Sequence, residues 1–316
     1  MSDLLKYRLP KGEVVEKLGA FVPVQLNELT KGFVVANADK SKVFAFEEGE
    51  RAIEKTSFTE PNCYAKEEYL EKADTFIAAI QSKGLSKAIF SRVKSHTSDK
   101  SGEQLFKALI DAYPAAFVYL ISSEHFGTWI GATPEKLIRT TDEQAETVSL
   151  AGTMKANDSQ SWGEKERFEQ QFVSDFIEEQ LREIGIKNLT INGPHDRVAG
   201  PVKHLETQFQ FDLNQISPIQ IADKLHPTPA VSGLPQKEAL NLIASIETHD
   251  RSLYTGFIGV VGEETDLFVN LRCAQIIGNE FFLYLGGGFT KDSIAEKEWE
   301  ETENKSRTLL NILENS

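Results

Sequence analysis

Cysteine is almost missing from this chain. Cys63 and Cys273 are the only two in 316 residues, too few for a disulfide framework, so both are expected as reduced core residues of a cytosolic protein. The six histidines show no HExxH or similar metal spacing, and neither a GxSxG elbow nor a C-x-x-C pair is present. The nucleotide fingerprints GxGxxG and GKS/T are absent as well. No apolar run approaches the roughly 20 residues that span a bilayer. Met1 to Pro10 is mixed polar, so no signal peptide is expected. Positive charge is in deficit: 34 Lys and Arg stand against 48 Asp and Glu, a net charge of -14. No basic stripe is left to meet nucleic-acid phosphates. Membrane and nucleic-acid partners are therefore not expected.

What is present is the composition of a soluble globular chain, long enough for one large domain or two ordinary ones. Residues 1–60 read as a short β-rich lead-in packed on the rest, with strand-like runs at Val22–Val24, Phe33–Ala36 and Val43–Phe46. Glu60-Pro61-Asn62 marks a boundary, and 61–316 read as the main domain. Helices are predicted over Lys66 to Lys83 (stopped by Gly84), Gly102 to Tyr113, Gly163 to Gly185, Pro218 to Leu225, Gln236 to Ile246 and Ser293 to Leu313. A capping box of Ser293 with Glu296 opens the last one. Strands are predicted at Lys87–Arg92, Ala116–Ile121, Thr128–Ile130, Glu146–Leu150, Thr207–Leu213, Tyr254–Val261, Leu267–Ile277 and Phe281–Leu285. Strands and helices do not alternate regularly, so the fold class is α+β rather than a doubly wound sheet.

Two of the predicted helices each carry glutamates three residues apart on the face that should be dry. Glu166 and Glu169 lie in the first; Glu169 shares an arc with Trp162, Phe172, Val173, Phe176 and Ile177. Glu298 and Glu301 lie in the last, on an arc with Lys305, Ile294, Leu309 and Ile312. Buried carboxylates are costly unless paired or bound to metal. If the helices meet, four carboxylates in an acidic chain raise one another's pKa values or demand a counter-cation. An all-oxygen set points to Mg²⁺ or Mn²⁺, and Mg²⁺ commonly shares its shell with a small anionic ligand. Other residues read two ways. Gly286-Gly287-Gly288 is an anion-approachable backbone or a tight turn needing positive φ. Arg272, alternating with apolar neighbours in Leu267–Ile277, clamps a carboxylate or faces outward. Lys87 is a desolvated base or a surface lysine, and Glu135 a general acid or a first-turn glutamate.

Taken together, KAIFSR (87–92), GATPEKL (131–137), LAGT (150–153), EKERFEQ (164–170), HPTPAVSG (226–233), RSLYTGFIG (251–259), LFVNLRCAQI (267–276) and GGGFTKDSIAEKEWEETENK (286–305) resemble the chorismate-utilising enzymes. That family includes isochorismate, salicylate, anthranilate and aminodeoxychorismate synthases. The resemblance covers roughly residues 62–313 and is most like isochorismate synthase. It implies the family's α+β fold, large antiparallel or mixed sheets layered with helices, with 61–316 as the chorismate-binding catalytic domain. Residues 1–60 are shorter than the usual N-terminal portion.

The resemblance also implies roles. Glu169 and Glu301 look like Mg²⁺ ligands, with Glu166 and Glu298 supporting the ion through water. The ion holds the ring carboxylate of chorismate, assisted by backbone N–H near Gly152. Tyr254, Arg272 and the amides of Gly286 and Gly288 hold the enolpyruvyl carboxylate, with Lys305 close by and Ala230 and Leu271 lining the substrate. His204 matches a histidine near the reacting ring. Lys87, where ammonia-using members usually have Gln, resembles the base that activates water for attack at C2. Glu135 matches the acid that protonates the departing C4 hydroxyl. Ala151, where aminodeoxychorismate synthases often have a nucleophilic lysine, disfavours that branch. Ala230, where pyruvate-eliminating members tend to have Thr, favours stopping at isochorismate. The alternatives are a salicylate synthase, a non-catalytic chorismate-binding subunit, and an ammonia-using subunit with a glutaminase partner. A cytoplasmic monomer without a glutaminase subunit is expected. One departure stands out: Glu169-Gln170 stands where family members usually have Glu-His, so Gln170 replaces the histidine. It falls at the flank of the predicted apolar arc, which implies a change beside the metal ligands rather than loss of the metal.

Overall fold

The computed structural model describes residues 2–49, 57–199 and 202–314. Sixteen strands among them form one sheet, with every pairing antiparallel. Two N-terminal hairpins, β1 (Asp3–Arg8) with β2 (Val14–Pro23) and β3 (Gly32–Ala36) with β4 (Val43–Glu48), occupy the middle of the strand order. Outward from β1 run β6 (Phe117–Ser123), β7 (Gly127–Thr133), β15 (Cys273–Ile277), β16 (Glu280–Phe289), β5 (Lys87–Thr97) and the short β12 (Gly233–Leu234). Outward from β3 run β13 (Phe257–Val261), β14 (Thr265–Val269), β8 (Lys136–Thr141), β9 (Gln144–Lys155), β11 (Val202–Asp212) and β10 (Leu189–Ala199). The sheet therefore has two wings joined through the N-terminal strands.

Helices cover each wing. On the β5–β16 wing lie α1 (Lys66–Lys83), α2 (Gly102–Ala112), α5 (Gln236–Ile246) and α6 (Ala295–Glu314). On the β9–β11 wing lie α3 (Glu164–Glu183) and α4 (Pro218–Leu225). This is the layered α+β architecture that the sequence pattern predicts. Local signals explain why several elements form where they do. In α1, Tyr69, Ala73, Phe76 and Ile80 recur at helical spacing and are all buried. Gly84 then stops the helix at φ 64°, its N–H bonding the carbonyls of Ile80 and Gln81. Phe76 packs with Phe90 and Phe289; truncating so buried a ring to Ala costs about 3–5 kcal/mol. Ser101 and Gln104 close a capping box on α2, and Ser217 and Gln220 do so on α4.

Some expectations fail for physical reasons. Leu267–Ile277 is not one strand: β14 and β15 are separated by Asn270–Arg272, where Arg272 turns at φ 50°. Arg272 therefore sits on a link between the wings, not on an alternating strand. β1, β8 and β10 escape the pattern search; β10 pairs on one side only and alternates weakly. Ser293 forms no predicted box with Glu296. Its hydroxyl donates to Glu298 and accepts from Thr290 N–H, while Glu296 pairs with Lys66. No helix among the described residues is long and apolar enough to cross a membrane. Cys63 and Cys273 are both free.

Candidate active site

The site starts from β5 and β16, which pair in register so that Gly286, Gly287 and Gly288 oppose Ser91, Phe90 and Ile89. None of the three glycines has positive φ; they are strand residues, which removes the tight-turn alternative. Crowding explains them instead. A Cβ on Gly286 would stand 2.6 Å from the Tyr254 hydroxyl, on Gly287 3.0 Å from Glu298 Oε2, and on Gly288 2.5 Å from Lys87 Cε. The absent side chains let Tyr254, Glu298 and Lys87 close on one stretch of bare backbone. Burial pushes the Tyr254 hydroxyl well above its ordinary pKa, so it is a neutral donor.

Two links between the wings bring in the opposing side. The β7–β8 link carries Glu135 and the β14–β15 link carries Arg272. They are stitched together: Ala132 N–H donates to Arg272 O at 3.1 Å, Val269 N–H to Glu135 O at 2.9 Å, and Thr133 Oγ1 to Val269 O at 2.7 Å. Glu135 is thus on a link rather than in a helix turn. Burial raises its carboxyl from 4.5 to about 7, against the nearby charges of Arg272 and Lys87. Arg272 is held at lowered pKa by burial, against Tyr254, Glu301 and Glu135. Leu271 beside it packs against the cores of both wings.

The four glutamates behave unequally. Glu169 Oε2 lies 3.6 Å from Lys87 Nζ, linking α3 to β5. Glu301 pairs with Lys305, whose ammonium also donates to Gly286 O at 2.7 Å. Burial lowers the Lys305 pKa, opposed by Glu301 and reinforced by Arg272 and Lys87. Glu298 is buried, but the Glu301 side chain is 50% exposed. Glu166 lies against Gly152 and Gly163, its Cγ 3.1 Å from where a Gly152 Cβ would stand. The dry arcs also need correction. On α3 the buried positions are Gln170, Val173, Ile177 and Leu181, while Phe172 is 42% exposed. Gln170 is therefore at the arc's centre, not its flank. It is 1% exposed, with Nε2 donating to Ser149 O, Ser149 Oγ and Thr207 Oγ1. Ile294 is 53% exposed and precedes α6.

Among the described residues no three acidic, histidine or cysteine groups close on one point as a ready-made metal cage. The donors nonetheless fit a hard divalent ion in type: all are carboxylate oxygens, and Glu169 and Glu301 each hold an ammonium where positive charge is wanted. His204 Nδ1 lies 2.9 Å from Gly152 O, and Gly152 has φ 63°. Ala230 sits half-buried in the loop between α4 and β12. Pattern reading missed Arg251, Glu247 and Ser91, which form a buried cluster behind this surface. A lone arginine in a polar loop carries no periodic signal that could have found it.

A family model described as chorismate binding enzyme matches residues 25–314. The chain is 30% identical over 243 residues to isochorismate synthase EntC of Escherichia coli, covering 72% of this chain and 62% of EntC. It thus spans less than two thirds of that relative's length. A putative 2,3-dihydroxybenzoate-specific isochorismate synthase, DhbC from Bacillus anthracis, superposes with a TM-score of 0.83 at 24% identity, covering 100% of this chain and 97% of that one. The menaquinone-specific isochorismate synthase MenF of Escherichia coli superposes with a TM-score of 0.85 at 20% identity, covering 99% and 89%. At such identities the two superpositions establish the shared fold.

Proposed function

The chain belongs to the chorismate-binding enzyme family, and we propose that it converts chorismate to isochorismate. One observation carries this reading: Lys87 on β5, packed beside the bare backbone of Gly288, acts by its charge on a buried, protonatable glutamate, Glu135, on the β7–β8 link. Water is a poor nucleophile and hydroxide a poor leaving group, so the exchange of one hydroxyl for another needs a base on one side and an acid on the other. Lys87 takes the proton of the water that attacks C2. Glu135, whose carboxyl pKa burial raises to about 7, gives its proton to the hydroxyl leaving C4.

Arg272, Tyr254 and the amides of Gly286 and Gly288 hold the enolpyruvyl carboxylate, with Lys305 beside them. Ala230 and Leu271 line the ring, and His204 orients the Gly152 segment. Glu169 and Glu301, supported by Glu166 and Glu298, would hold Mg²⁺. When bound, that ion neutralises and orients the ring carboxylate. Lys87 Nζ lies 3.6 Å from Glu169 Oε2, an ion pair whose place at Glu169 the metal would take. The absence of a lysine at Ala151 and of a threonine at Ala230 supports release at isochorismate rather than amination or pyruvate loss. A cytosolic monomer acting without a glutaminase subunit completes the proposal.

Incubation with chorismate, with and without Mg²⁺, followed by chromatographic product identification tests it. Isochorismate formed only with Mg²⁺ is the expected result. Salicylate with pyruvate would reject the assignment in favour of a salicylate synthase, ammonium-dependent anthranilate would indicate an amide-transfer branch, and no turnover would indicate a binding subunit.

A further inference from the structure

Against β5 lies a charged cluster that the proposed chemistry does not use. Arg251 donates from Nε and Nη2 to the two carboxylate oxygens of Glu247, at 2.8 and 2.7 Å. Its Nη1 donates to Val231 O at 2.9 Å and its Nη2 to Ile89 O at 2.9 Å. Glu247 Oε1 also accepts from Ser91 N–H and Ser91 Oγ, both at 2.7 Å, and Ser91 Oγ lies 3.0 Å from His249 Nε2. The Glu247 and Arg251 side chains are only 4% and 10% exposed. Such a pair is poor evidence for stability, because its desolvation cost offsets most of its attraction. What a guanidinium fork supplies is direction: five donors in a rigid plane.

The fork's partners share one property. Ile89 is two residues along β5 from Lys87, so the two side chains share a face. Val231 follows Ala230 in the loop before β12. Tyr254 N–H donates to the carbonyl of Arg251 itself at 2.8 Å. Three elements that meet the proposed substrate, β5 with Lys87, the loop with Ala230 and the turn with Tyr254, are thus tied to one residue. Ser91 faces Gly286 across the β5–β16 pairing and holds Glu247 in turn. We infer that Arg251, locked by Glu247 and Ser91, is a positioning residue that sets Lys87 against the Ala230 loop and Tyr254.

This rests on the proposed chemistry, and the test separates the two. Arg251→Lys keeps the charge but not the fork. With chorismate and Mg²⁺, well below the variant's melting temperature, kcat should fall about 10- to 100-fold, the scale of an ångström's misplacement. KM for chorismate should stay within roughly threefold, because the carboxylate-holding groups remain. Ser91→Ala, which removes a single hydroxyl, should lower kcat about 2- to 5-fold with the same unchanged KM. Should Arg251→Lys fail to fold, Ser91→Ala decides alone. Wild-type kcat in the folded variants, or a loss carried by KM, would overturn the positioning role. A wild-type protein that makes no isochorismate strikes the functional reading instead; the variants' kcat is interpreted only against an active wild type.

Discussion

Helices α3 and α6 carry the same Glu-x-x-Glu spacing, yet the fold treats them differently. On α6, Glu298 is sunk against Gly287 and Lys305 is tied to Gly286 O, so that side of the pocket is built in advance from strand backbone and packed side chains. On α3, the buried residue at the centre of the stripe is the neutral Gln170, and Glu166 and Glu169 lie beside it, half-buried. Phe168 and Phe172 are exposed on the same helix. The difference teaches that the α6 side is set by packing, whereas the α3 side depends on charge: Glu169 pairs with Lys87, and under the proposed function a cation would take that place.

The strongest way to break the comparison is to remove the groups that span it. Lys87→Ala and Glu135→Gln should each lower kcat by about 10²–10⁴-fold in a chorismate assay. Glu135 also sets a pH signature. Its folded pKa is raised from 4.5 to about 7 by burial, so the proton it would donate in the proposed reaction is lost as pH rises through about 7, and kcat/KM should decline there. The same raised value means that ionised Glu135 opposes folding, a cost that accrues between about pH 4.5 and pH 7. Thermal melts should therefore show Glu135→Gln more stable than wild type at pH 8, by about 1–3 kcal/mol, with the gap closing near pH 4.

Next in size is a test of the pre-built side. Gly288→Ala puts a methyl 2.5 Å from Lys87 Cε, so Lys87 must move, and kcat should drop about 10- to 100-fold with the protein still folded. The α3 side should answer differently. Glu169→Gln should raise the Mg²⁺ concentration needed for half-maximal activity by about tenfold or more, and should weaken Mg²⁺ binding measured by calorimetry in the absence of substrate. Equal effects of Gly288→Ala on Mg²⁺ binding would erase the distinction between the two sides. The smallest effect expected is on stability. Gln170→Leu fills the same space but takes away the donor to the Thr207 hydroxyl, while Ser149 Oγ keeps Ser174 Oγ, costing about 1–3 kcal/mol in a denaturant melt. Phe172→Ser, on the exposed flank of α3, should stay within about 0.5 kcal/mol of wild type.

Much of the fold was legible in the sequence where local rules dominate. α1, α4 and α5 run between the bounds that periodicity, caps and glycine or proline stops indicate. β10 was not legible, because a strand paired on one side needs no strong alternation. Nor was the break at Asn270–Arg272, because a left-handed turn at a non-glycine residue leaves no compositional trace. The helix arcs were legible only approximately: an angular rule cannot tell a face turned to the core from one turned to an open pocket, so Phe172 and Ile294 were placed on the dry side and Gln170 at its edge.

By itself the sequence determined the chemistry available here: an acidic chain with carboxylates in pairs, a strand lysine, a bare glycine run and the motifs of one enzyme family. Only the tertiary structure decided which of those groups share a pocket and in what state. Charge state and contact depend on burial and on neighbours distant along the chain. It is the two links crossing between the wings that bring Glu135 under the charges of Arg272 and Lys87, and burial there that raises the glutamate's pKa to about 7.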